Sequence, residues 1–133
     1  MTFKTTATVA AVLTCLLGVA YLAAGEIMVG RWQVEPTEGV LLLGRRIGAY
    51  FLGLSVMFFL ARPVVDPAAR RALSSSAVVT CALLATLGTR DYLAGRAAAP
   101  ILASAALEVL LALVFARQFL SAHALAQAGT RPA

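Results

Sequence analysis

Charge sits where a membrane interior would least tolerate it. Arg45 and Arg46 are adjacent within VLLLGRRIGAYFLGLSVMFFLAR, from Val40 to Arg62, and Glu108 lies near the middle of the last apolar run. A carboxylate in hydrocarbon must find a cation or take up a proton, because an uncompensated buried charge is too costly. An arginine there must pair or reach the interface. The expected arrangement is therefore a pairing of Glu108 with Arg45 or Arg46. It would either fix helix register or form part of a ligand site.

Glu26, Arg90 and Asp91 would join these three at one end of the molecule if the apolar runs are membrane crossings. The ligand-binding or ion-pair candidates are thus Arg45, Arg46, Glu108, Glu26, Arg90 and Asp91. None can be nominated as catalytic, since no nucleophile stands in a recognisable pattern with a base. Cys15 and Cys81 occur singly in separate apolar segments, without the spacing of a metal or redox site, and read as small buried hydrophobes. The single His123 lies in the polar tail. No metal or cofactor is expected.

The elements that must carry these residues follow from composition. Of the 133 residues, 61% are hydrophobic and 13% charged, against roughly half apolar in an ordinary soluble domain. A mean hydropathy of +0.88 agrees. About 20 apolar residues cross a bilayer, and runs at about 7–27, 40–61, 67–88 and 99–120 each meet that length. The fold class expected is all-α: a polytopic membrane protein formed by a single four-transmembrane-helix bundle spanning 1–133. The segment 121–133 is expected to fray as a flexible tail.

Local signals agree with these bounds. Pro36 stops any helix continuing from the first, and Trp32 in the loop suits an interfacial anchor. Asp66 before Pro67 has the form of an N-cap followed by proline at the first helical position, and Pro100 marks the last start. Small residues form stripes: Ala7, Ala11, Thr14, Gly18, Tyr21 and Gly25 in the first helix, Gly44 and Gly48 at GxxxG spacing in the second. In the third, Ser74, Cys81, Ala85, Gly88 and Asp91 share a face. In the fourth, Glu108 has Ser104, Ala105, Ala112 and Ala116 as neighbours, which turns it toward the bundle. The first run exceeds the length of a secretory h-region, so it is expected to be retained.

The net charge of +5 is spread through short loops, with no aromatic-interleaved basic patch, so nucleic acid is not an expected partner. With Arg45 and Arg46 set aside as intramembrane, one side holds six positive residues (Lys4, Arg62, Arg70, Arg71, Arg117, Arg131) and the other three (Arg31, Arg90, Arg96). That bias places both termini in the cytoplasm, with the chain expected in the cell (inner) membrane.

The segments GVAYLAAGEIM in the first helix, LLGRRIGAYFLGLSVMFFLAR in the second and LGTRDYLAG closing the third, in a four-helix chain of this length, resemble the DoxX-like group of bacterial membrane proteins over about residues 7–120. The group includes several uncharacterised families. Its founding members are small membrane subunits associated with a quinone-linked oxidoreductase, and the resemblance carries over no catalytic residue.

The expected function is a non-catalytic membrane module. It either binds a lipophilic small molecule, a quinone or a lipid, or serves as a subunit of a larger membrane complex. The bilayer is its first partner, with a homo-oligomer or a larger assembly beyond it. A proton-coupled small transporter using Glu108 is the alternative. An enzyme acting on a membrane-dissolved substrate, with Glu108 or Asp91 as acid or base, is third.

Overall fold

The computed structural model describes residues 2–128 and is an all-α bundle. Its helices are α1 (Phe3–Ala23), the short α2 (Gly25–Gly30), α3 (Glu38–Ala61), α4 (Pro67–Leu93) and α5 (Pro100–Ala128). Four of them, α1, α3, α4 and α5, are long and apolar enough to cross a membrane. At 1.5 Å per residue even α1, with 21 residues, is about 31 Å long, the thickness of a bilayer's hydrocarbon core.

The caps explain where the helices begin. Thr2 accepts from the Thr5 backbone N–H at 3.2 Å, and Thr37 from that of Val40 at 3.4 Å. The Asp66 carboxylate accepts from Ala68 and Ala69 at 3.3 and 2.9 Å with Pro67 behind it, as the sequence pattern requires. These caps start α1 four residues and α3 two residues before the apolar runs expected at 7 and 40, because capping satisfies the first backbone donors wherever the hydroxyl stands. At the other end α4 continues past 88 to Leu93, where Gly95 (φ +67) turns the chain.

Three further expectations are corrected. The first apolar run is not one helix: Ala24, at φ −138° and ψ 40°, breaks it into α1 and α2. The tail does not fray from 121, since α5 continues as helix to Ala128 and Ala122 is buried; positions 129–133 lie outside the described residues. Cys15 is exposed rather than buried, and Cys81 is half-buried.

The long helices associate as two antiparallel pairs, α1 with α3 and α4 with α5. In the first pair the small-residue stripe does the packing: Ala7, Ala11, Gly18 and Tyr21 are buried on α1, and Gly44 and Gly48 on α3. A methyl group at Gly18 would stand 2.8 Å from the Leu52 side chain and 2.9 Å from the Gly48 carbonyl oxygen. The Ser55 hydroxyl donates across the same interface to the Ala11 carbonyl at 2.8 Å. In lipid, where hydrophobic burial does not drive helices together, such close approach and hydroxyl bonding hold the pair. In the second pair Ala85, Gly88 and Ala105 are the buried residues of the contact.

The pairs join mainly near the end that carries the N-terminus and the α3–α4 connection. Ala10 and Ala11 of α1, Phe58 of α3, Ala77 of α4 and Phe115 of α5 form one buried cluster, with the Phe58 and Phe115 rings 5.5 Å apart. One turn further along, the buried Gln118 donates to the Thr6 hydroxyl at 3.2 Å. At this end too the Arg70 guanidinium lies 5.2 Å from the centre of the Phe3 ring. At the opposite end, the outer one if both termini are cytoplasmic, the link is between loops, the Ala98 N–H donating to the Trp32 carbonyl at 3.2 Å. The accessible surface, 8440 Å², exceeds the about 6,600 Å² of a compact soluble protein of this mass, because the pairs leave broad apolar sides for lipid.

Gly18→Ala is expected to lower stability by about 1–3 kcal/mol, since the new methyl meets a backbone carbonyl that cannot retreat. Gly53→Ala, with open space around it, should be neutral or stabilising by up to about 1 kcal/mol. Unfolding of the purified variants in detergent, followed by circular dichroism, measures both.

Candidate functional site

Three places hold four of the six charged residues singled out by the sequence. The first is Glu108. It is half-buried on α5, one turn from the buried Ala105, and lies within electrostatic range of Tyr21 on α1 and Cys81 on α4. The small-residue face therefore turns it toward the bundle, as its helical neighbours imply, while Leu107 and Leu110 point outward.

The expected pairing of Glu108 with Arg45 or Arg46 is not formed: among the described residues the ion pair present is Arg96 with Asp91. Level and face both explain this. Phe58 and Phe115 meet, and α3 and α5 run in the same direction, so Glu108, seven residues before Phe115, stands level with Phe51. Arg45 and Arg46 are five to six residues further out, an axial offset of about 8–9 Å at 1.5 Å per residue. Both are also exposed, while Gly44 and Gly48 occupy the packed face of α3. Level with the last turn of α1, the arginines reach the membrane boundary without a carboxylate partner.

The second place is the break between α1 and α2. Here Glu26 and Arg45 come together, lining a pocket of about 420 Å³ with Tyr21, Leu22, Ala23, Ala24, Gly25, Ile27 and Leu41. Arg46, one residue on, lies outside it. Nothing in the hydropathy of the first run announced the pocket; the Ala23-Ala24-Gly25 step, weak in helix propensity at its glycine, was the available signal.

The third place is a groove of about 900 Å³ along α4 and α5. Val78, Ala82, Ala85, Val109, Ala112, Leu113 and Ala116 make it apolar, and Thr86, Thr89 and Arg90 lie toward its outer end. The two threonine hydroxyls donate to the Ala82 and Ala85 carbonyls at 2.7 and 2.8 Å. Their donors are thus used within the helix, which leaves Arg90 as the groove's charged donor. Alanines facing alanines across the pair create this groove, and they carry no chemical signature by which a sequence reading could have chosen them.

Asp91, next to Arg90, is tied to the loop instead. Arg96 donates to its carboxylate from Nη2 at 2.7 Å and from Nε at 3.0 Å, and the Arg96 backbone N–H donates to the Asp91 carbonyl at 2.9 Å. Both side chains are about half exposed, so the pair is worth little in stability and serves to close the turn around Gly95. Among the described residues no three His, Cys, Asp or Glu side chains gather as metal ligands. No protein-family profile, curated protein or solved structure matches this chain.

A double-mutant cycle tests the separation of the charges. Glu108→Gln combined with Arg45→Gln or Arg46→Gln is expected to be additive within about 0.5 kcal/mol in thermal stability. A coupling well above that figure would mean that the groups do meet.

Proposed function

We propose that the chain is a non-catalytic membrane module that binds a lipophilic small molecule of the quinone or lipid class in the groove between α4 and α5. The observation that carries this reading is the union of a long apolar wall with a single cationic group at one end, Arg90. A volume of about 900 Å³ falls within the range of small-molecule sites, which are mostly apolar with a few polar groups that fix orientation. A tail or isoprenoid chain would lie against Val78, Ala82, Val109 and Leu113. The polar head would accept from the Arg90 guanidinium near the membrane boundary.

The resemblance to DoxX-like proteins fits the same reading, since quinone-linked membrane subunits need a lipophilic site rather than reactive groups of their own. The weak joint between the two helix pairs also suits a module that docks in a larger membrane complex. Binding is tested by equilibrium titration of a short-chain quinone, and separately of an anionic lipid, into the full chain in nanodiscs. Ala82→Trp, which fills the groove from its exposed wall, is expected to weaken binding at least about tenfold, or about 1.4 kcal/mol. Arg90→Leu should weaken it about five- to tenfold through the lost head contact. Unchanged titrations for both variants would overturn the assignment.

The orientation belongs to the same proposal: a chain of the cell (inner) membrane with both termini cytoplasmic. The six-to-three excess of positive residues toward the terminal end supports it. With Cys15 and Cys81 replaced by serine, cysteines introduced at Thr37 and Gly95 should label with an impermeant maleimide only from outside the cell. Labelling only from the cytoplasmic side would invert the topology.

A further inference from the structure

The pocket at the α1–α2 break combines features that the groove does not. Ala24 keeps its helical bonds on both sides, its N–H donating to Ala20 at 2.8 Å and its carbonyl accepting from Met28 at 3.0 Å. Between them the ladder is open. Among the described residues, Gly25, Glu26 and Ile27 do not donate to Tyr21, Leu22 and Ala23, the carbonyls that a continuous helix would satisfy. Those three residues all line the pocket.

At the edge of the hydrocarbon, unpaired backbone is tolerated where it lines a cavity holding water or a ligand. The pocket also contains one charge of each sign, Glu26 and Arg45, which form no ion pair with each other. A carboxylate beside free carbonyls is a set of acceptors for an ammonium group with N–H donors. The Arg45 guanidinium in the same lining is a fork for a phosphate. Opposite charges left apart in one small cavity suit a ligand that carries both.

We infer that this pocket holds the headgroup of a zwitterionic phospholipid with a primary ammonium, its ammonium on Glu26 and the α1 carbonyls and its phosphate on Arg45. The depth agrees. Arg45 is level with the last turn of α1, at the outer end of the span, where headgroups lie. The size agrees as well, because about 420 Å³ accommodates a headgroup and leaves the acyl chains outside. Ile27, Leu42 and Leu43, 69%, 53% and 60% exposed, offer those chains an apolar surface beside the pocket. A trimethylammonium head has no N–H to donate to the carbonyls. A head without an amine leaves Glu26 unanswered.

Native mass spectrometry of the full chain, released from micelles containing equal amounts of phosphatidylethanolamine, phosphatidylcholine and phosphatidylglycerol, tests the assignment. The ethanolamine lipid should be retained at least about fivefold over the choline lipid. Glu26→Gln should erase that preference, and Arg45→Gln should lower retention of all three lipids together, since each carries the phosphate. Arg46→Gln, outside the pocket, should behave as the unaltered chain. Equal retention of all three lipids, or equal effects of Glu26→Gln and Arg46→Gln, would overturn it. Displacement of bound lipid by millimolar free phosphoethanolamine would overturn the commitment to a membrane lipid in favour of a soluble zwitterion. The groove is an independent site, so Ala82→Trp should leave the headgroup preference intact even where it abolishes quinone binding.

Discussion

The close approach of α1 and α3 at Gly18 and Gly48 is the contact on which the outer half of the molecule depends. Each glycine leaves room for the other helix's backbone, and the Leu52 side chain fills the remaining space. Because lipid offers apolar side chains as good a home as a neighbouring helix does, only such intimate contact, with the Ser55 bond to Ala11 behind it, keeps these helices together. The register that it imposes sets Arg45 level with the end of α1 and beside the break at Ala24. Glu26 then lines the same pocket as an arginine that lies 19 residues away in the chain.

The second pair is assembled from smaller parts. Ala85, Gly88 and Ala105 bring α4 and α5 together, and the alanines beyond them leave a groove instead of a filled seam. The two pairs then lock at one end, through Phe58 on Phe115 and Gln118 on Thr6, and at the other are joined by a loop hydrogen bond. A bundle fastened in this way has its rigid core in the terminal half. Its polar groups, concavities and interrupted backbone lie in the outer half, where a ligand can enter without dismantling that core.

Charge in this protein is handled by position more than by pairing. Arg45 and Arg46 are exposed near the boundary, where long side chains reach polar surroundings along their own stems. Asp91 and Arg96 pair in a loop that water reaches. Glu108, half-buried on the inner face of α5, remains an ionisable residue without a cation beside it among the described residues, within electrostatic range of a phenol and a thiol. An ion pair across the bundle would have been one way to fix helix register, yet the glycine contact accomplishes that at lower cost in desolvation.

What the chain determined by itself was every feature governed by local chemistry or by the bilayer. Run lengths specified four spans, Asp66-Pro67 and Pro100 marked helix starts, and the stripe Ala7, Ala11, Gly18 and Tyr21 identified a packing face. The inward aspect of Glu108 was legible for the same reason, because a period of 3.6 residues ties it to Ala105. Only the tertiary structure decided which charges meet. Partner choice depends on the axial offset between helices, and that offset is set where Gly18 meets Gly48 and Phe58 meets Phe115, contacts between residues distant in the chain. The break at Ala24 was hidden because hydropathy measures side chains, whereas the interruption lies in the backbone ladder. The groove was hidden because it consists of space left between alanines, and space has no residue type.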